Sequence, residues 1–161
     1  MEEIERLKEI VKTLRSENGC PWDRAQTHES LKPECIEEAA EVVCSINILE
    51  KTGNAENFKE ELGDLLLQVM FHAVMAEEEG LFTFEDVAAT VADKMVRRHP
   101  HVFNGVVYSS DEERLASWEK IKQEEKIGKE DVDQYLPEAF EEARKLIDKA
   151  EERKKKKHTH K

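Results

Sequence analysis

The sequence predicts an all-α helical bundle, and three observations carry that reading. Apolar residues recur at helical spacing, as in Ile4, Leu7, Ile10, Val11 and Leu14. Acidic and polar residues form narrow stripes on the same period, Glu34, Glu38, Glu41 and Ser45 in one segment and Glu61, Asp64, Gln68 and His72 in another. The only β-leaning material, Val102-Phe103 and Val106-Val107-Tyr108, is too little for a sheet.

The elements follow in order. A first amphipathic helix is expected over residues 1 to 16, with Ile4, Leu7, Ile10, Val11 and Leu14 inward and a stop near Asn18-Gly19. A loop from Cys20 to Glu29 precedes a second helix, which starts near Ser30 and runs to about Lys51; Pro33 is tolerable because it lies in the first turn. The Thr52-Gly53-Asn54 break separates it from a third helix over 55 to 79, ended by Gly80. From Leu62 to Ala76 that helix is apolar nearly all round, which marks it as central and covered on several sides. Thr83 with Asp86 caps a fourth helix over 84 to 98, terminated by His99-Pro100. Ser110 and Glu113 form a capping-box pattern for a fifth helix over 111 to 127, closed by Gly128. A last helix is expected over 133 to 153, and the stretch from Arg153 to Lys161, with four consecutive lysines, is expected to fray.

With 161 residues the chain suffices for one domain with a real core. Its 39% charged content and mean hydropathy of −0.73 indicate a soluble protein, and the longest apolar stretch, Leu65 to Ala76, is too short to span a bilayer. The acidic, amphipathic N-terminus does not read as a secretory signal. Three cysteines, Cys20, Cys35 and Cys44, form no CxxC pair and fit free structural thiols in a reducing cytoplasm. The net charge of −12 argues against nucleic acid binding through the bulk surface, which needs Lys and Arg to replace counterions.

Chemistry concentrates in four carboxylates. Glu38 and Glu41 are i, i+3 on one helix, as are Glu61 and Asp64 on the next, so two such helices packed together aim four carboxylates at one point. Like charges gathered in a packed interior are unfavourable unless something neutralises them, and an all-oxygen donor set suits Mg2+ or Mn2+. The same spacing also fits two unrelated solvated faces. Lys94, Arg97 and Arg98 fall within about one turn and suit a polyphosphate, or else they complement the end of the helix dipole. Trp118 and Lys122, i and i+4, offer an indole face and an ammonium to a nucleotide, or else a core Trp beside a solvated Lys.

Together these residues resemble the MazG family of all-α nucleoside triphosphate pyrophosphohydrolases, whose motif reads EExxE, a spacer, then ExxD. Here it stands as Glu37-Glu38-x-x-Glu41, nineteen residues, then Glu61-x-x-Asp64. Also family-like are CPWD at 20 to 23, QTHESL at 26 to 31, ELGDLLLQVMFHA at 61 to 73, AEEEGLF at 76 to 82, Lys94-x-x-RRHPHVF up to 103, and Trp118-Glu119-x-x-Lys122. A ferritin-like reading needs Glu-x-x-His, and none of the six histidines has Glu three residues before it.

The resemblance covers residues 1 to about 127 and implies a MazG-like domain there, followed by a helical extension over 128 to 153 and a disordered basic tail over 154 to 161. It implies Mg2+-dependent hydrolysis of nucleoside triphosphates between the α and β phosphates, in clearance of nucleotide pools. Glu38, Glu41, Glu61 and Asp64 match the family's Mg2+ ligands, Lys94, Arg97 and Arg98 its phosphate-contacting segment, and Trp118 and Lys122 positions near the nucleotide. Glu37, the first Glu of the motif, is assigned to tuning the site or orienting the attacking water. A homodimer or dimer of dimers is expected, with no membrane partner. Many MazG proteins hold two such domains and this chain shows one, so two alternatives stay open: a weakly active metal-binding oligomerisation or regulatory module, and a pyrophosphatase restricted to dUTP, dCTP or phosphoribosyl-ATP. Lys154 to Lys157 are expected to stay solvated.

Overall fold

A computed structural model describes residues 2–159, with side chains described through Lys156. Among the described residues all regular structure is helical: α1 (Glu2–Arg15), α2 (Pro21–Arg24), α3 (Lys32–Thr52), α4 (Glu56–Glu78), α5 (Phe84–Arg98), α6 (Pro100–Phe103), α7 (Asp111–Glu124) and α8 (Glu130–Thr159). The β-leaning residues 99 to 109 form only the short turn of α6 and irregular chain. No helix is long and apolar enough to cross a membrane among the described residues.

Local chemistry accounts for the boundaries. α1 opens with Glu2, Glu3 and Glu5 and closes with Lys12 and Arg15, each complementing the dipole at its end. The turn after it returns so tightly that a Cβ on Gly19 would stand 2.3 Å from the carbonyl oxygens of Thr13 and Leu14. Pro33 sits in the first turn of α3, and Gly53, at φ 72°, ends that helix by donating its N–H to the Leu49 carbonyl at 2.8 Å. Ser110 caps α7 by accepting from the Glu113 N–H at 3.3 Å. The return bond of the capping box shifts by one residue, since Glu113 accepts from the backbone N–H of Ser109 at 2.7 Å.

The backbone forms two compact units, Met1–Phe84 with Glu141–Lys161, and Glu85–Phe140. In the first, α3 packs along α4, and α1 packs on α4 and α2. Its core is Val11, Leu31, Met70, Phe71, Val74 and Met75, with Leu7, Leu67 and Phe84 against it. Each such fully buried side chain contributes about 1.5–3 kcal/mol. Charged side chains bind the rim: Lys12 meets Glu77 at 2.9 Å, and Arg15 meets Glu78 at 2.7 Å while donating to the Asp23 and Gln26 carbonyls of the following loop.

Coverage is less complete than the apolar pattern predicts. Ile4 and Ile10 were expected inward, yet both are exposed, Ile10 at 44%, because α1 is covered on its Leu7–Val11 side alone. Lys8 takes a buried place instead, its ammonium 3.7 Å from Glu77. The expectation that α4 is covered on several sides holds for its C-terminal half, Met70 to Ala76; toward its start Leu62 and Val69 remain 44% and 40% exposed. The second unit contains no buried residue among those described, and Val91, Met95, Phe103, Val107 and Ile127 are open, Val107 at 89%.

The end of the chain also departs from expectation. α8 starts earlier and continues past Arg153 to Thr159, with Pro137 inside it. Lysines are good helix formers, they complement the C-terminal dipole, and no Gly or Pro interrupts the run. Of the expected tail, the side chains of residues 157 to 159 and the whole of residues 160 to 161 lie outside the described residues.

Candidate metal centre and basic cleft

The close packing of α3 on α4 determines where the carboxylates point. Glu38 leaves α3, Glu61 and Asp64 leave adjacent turns of α4, and each offers an oxygen such that all three lie within 4.8 Å of one another. Glu38 Oε2 is buried and has no hydrogen-bond partner among the described residues. Burial, followed by the charges of Asp64, Glu61, Glu34 and Glu37, pushes the Glu38 carboxyl above its ordinary range. Glu61 is oriented by Asn57, which donates to its Oε1 at 2.8 Å from the preceding turn. A half-buried carboxylate with one orphaned oxygen, grouped with two more carboxylates, fits a hard divalent cation.

Glu41 does not join this group. Its Oε1 is taken by the ammonium of Lys154 on α8, and Glu37 is held by Arg153 at 2.5 Å and Lys154 at 3.3 Å. Further down the α4 stripe, His72 receives Cys35 on its Nε2 at 3.3 Å and faces His28 through Nδ1 at 2.7 Å. Burial, then the neighbouring His28, lowers the His72 pKa, and burial raises that of the Cys35 thiol. The three cysteines are free, as an odd count without CxxC spacing predicts.

The cationic residues belong to the second unit. Lys94, Arg98 and Lys122 line a cleft of about 160 Å³ with Glu125, Lys126, Lys129, Val132 and Asp133. Both arginines converge on Glu125: Arg97 reaches Oε1 at 2.8 Å and Arg98 reaches Oε2 at 2.6 Å. That arrangement holds the Glu125 carboxyl below its ordinary range, Arg98 acting more strongly than Arg97. The Arg98 guanidinium also lies 5.6 Å from the centre of the Trp118 ring, and His99 meets the same indole edge-on at 4.9 Å. Lys122 pairs with Glu119 at 3.2 Å.

Residues 26–103 match the family model described as the MazG nucleotide pyrophosphohydrolase domain. Residues 26–103 of the chain are a MazG domain. Among similar proteins, the nucleoside triphosphate pyrophosphohydrolase/pyrophosphatase MazG of Thermotoga maritima is 52% identical over 123 residues, 76% of this chain and 45% of that protein. The nucleoside triphosphate pyrophosphohydrolase of Escherichia coli K12 is 44% identical over 144 residues, 85% of this chain and 53% of its own length. The uncharacterized protein YabN of Bacillus subtilis is 47% identical over 124 residues, 77% of this chain and 24% of that protein. The chain therefore spans from about a quarter to about half the length of these relatives.

Within the MazG match lie both carboxylate motifs and Lys94, Arg97 and Arg98, while Trp118 and Lys122 fall beyond it. The structure brings Glu38, Glu61 and Asp64 together, directs Glu37 and Glu41 to α8, and groups Arg97, Arg98 and Trp118 in the other unit. Sequence reasoning missed Asn57, although it precedes Glu61 by one turn and is legible as an i, i+4 partner. It also missed Glu125 and Lys154. Those partnerships join positions 27 and 113 residues apart in the chain, Arg98 with Glu125 and Lys154 with Glu41, and no local spacing announces them.

Proposed function

We propose that this MazG domain hydrolyses nucleoside triphosphates between the α and β phosphates, releasing the monophosphate and pyrophosphate. The observation that carries the reading is the grouping of Glu38, Glu61 and Asp64, each with an oxygen within 4.8 Å of the others, with one oxygen of Glu38 buried and without a partner among the described residues. Glu38, Glu61 and Asp64 would hold a divalent cation, Mg2+ or Mn2+, and Glu41, one turn from Glu38, would complete the set. When bound, the cation supplies neutralisation of phosphate oxygens. The chain's own contribution is positional. Two packed helices fix three carboxylates before any ligand arrives, and Asn57 limits the freedom of Glu61. A chain of net charge −12 repels a polyphosphate, so positive charge must be supplied locally. Lys94, Arg97, Arg98 and Lys122 are proposed to supply it, with Glu125 orienting both guanidiniums and Trp118 offering a stacking face to the base. The names of the Thermotoga and Escherichia relatives support the reaction class.

The same proposal places the domain in a homo-oligomer. The second unit buries no residue among those described, and Leu62 and Val69 of α4 are open, so apolar surface is left for a further copy to cover. The test of the activity is substitution at the carboxylates. Asp64→Asn and Glu41→Gln should each abolish release of pyrophosphate while leaving the helical circular dichroism and the thermal midpoint in place. Normal turnover in both variants would refute the assignment.

A further inference from the structure

The sequence left the basic end of the chain without a task, and the structure lays it on the acidic motif. Within the first unit α8 is tied to α3 at two places. Lys32, at the start of α3, meets Glu142 at 3.2 Å, and Arg153 and Lys154 take Glu37 and Glu41. Ile147, Ala150 and Glu151 of α8 line a cavity of about 560 Å³ together with Ile36, Ala40 and Cys44 of α3 and Asn57 and Glu61 of α4. The contrast with the α3–α4 seam is plain: those helices pack side by side, whereas α8 reaches α3 through the ends of long charged side chains. A helix attached through charged side-chain ends is easily moved, because partly exposed ion pairs contribute only about 0–1 kcal/mol each.

The consequence lies in which carboxylate is held. Glu41 is the member of the four-carboxylate set that stays out of the Glu38–Glu61–Asp64 group, and the ammonium of Lys154 is what holds it. We propose that the Arg153–Lys154 end of α8 is an autoinhibitory strap, an internal cation seated on Glu37 and Glu41 that a divalent cation must displace before Glu41 can join the site. This inference rests on the metal-site reading above. It requires two states, α8 seated with Glu41 withheld, and α8 released with the cavity opened along one wall. Metal affinity in the intact chain is then lower than the carboxylates alone would give, by the free energy of the strap.

The test uses the full chain and Mn2+ without nucleotide, with free Mn2+ read by electron paramagnetic resonance. Lys154→Gln should tighten Mn2+ binding by roughly twofold to tenfold, the range set by losing one or two such ion pairs. Removing any positive charge favours a cation, so Lys156→Gln is the comparison: it deletes the same charge from the same helix end, at a side chain that lines the neighbouring Pro33–Leu146 cleft. Glu142→Gln, at the far tie, should tighten binding as well, although it removes a negative charge, because it loosens the strap. Hydrogen exchange over residues 141 to 156 should rise when Mn2+ is added to the unaltered chain.

Equal tightening by Lys154→Gln and Lys156→Gln, weaker binding by Glu142→Gln, or exchange in α8 unmoved by Mn2+ would each overturn the strap. The two readings separate cleanly. If Mn2+ binds and these variants behave alike, the strap falls and the metal site stands. If Lys154→Gln tightens Mn2+ but no triphosphate is cleaved by any form, the strap stands and the proposed activity falls.

Discussion

Replacing Glu38 by glutamine should make the metal-free protein more stable and the metal-loaded protein less so. Glu38 presents an oxygen within 4.8 Å of both Glu61 and Asp64, and its buried Oε2 has no partner among the described residues. At an effective dielectric of ~20, each such pair of like charges repels by about 3 kcal/mol, and solvent at the half-buried rim screens much of this. A neutral amide removes both repulsions, and its NH2 can donate to the facing carboxylates. A net gain of about 1 kcal/mol is expected without metal, which for a chain of this size raises the thermal midpoint by about 2–4 °C. With divalent cation at about a hundred times its dissociation constant, the unaltered protein should gain about 2.7 kcal/mol, or roughly 5–10 °C, and the variant far less. Thermal unfolding in chelator and then in Mg2+ or Mn2+ reads both arms, and the two proteins should exchange order. A Glu38→Gln protein that melts lower in chelator, or that gains as much from metal as its parent, would refute the idea that Glu38 is a strained, metal-directed carboxylate.

Three further outcomes follow from the same geometry. Met70 is fully buried at the centre of the core, so Met70→Ala should cost roughly 2–5 kcal/mol in chemical denaturation, with helix content retained in the absence of denaturant. His72 has its pKa lowered from 6.5 by burial and then by His28, so the unfolded chain binds the proton more tightly; stability should fall as pH drops below about 6.5, and His72→Gln should flatten that limb of the midpoint-against-pH curve. The open apolar side chains of the second unit predict a dimer or larger assembly in light scattering at micromolar concentration, and a stable monomer there would contradict it.

Local pattern was enough to read most of the helices and three of the four carboxylates expected at one point, Glu41 being turned to Lys154 instead, because i, i+3 and i, i+4 geometry is contained within one element. Glu61 and Asp64 share a face whatever else the chain does, and once α3 lies on α4 the place of Glu38 follows. What stayed illegible is what depends on the far side of each helix. Ile4 and Ile10 have the spacing of core residues and are exposed, since periodicity marks an apolar face without saying whether anything covers it. The pairing of Lys154 with Glu41 was hidden for another reason: a run of lysines reads as solvated tail, and only the course of α8 brings it to the motif. Glu125 was one of many acidic residues until the two arginines were seen to converge on it.

The central claim, that the carboxylate group serves cleavage between the α and β phosphates, is tested most directly by product analysis. The protein would be incubated with a panel of ribo- and deoxynucleoside triphosphates, with Mg2+ and with chelator, and the released phosphate species identified. The account predicts pyrophosphate in equal amount to the nucleoside monophosphate, only when the metal is present. Orthophosphate with the nucleoside diphosphate, or the same turnover in chelator, would contradict it.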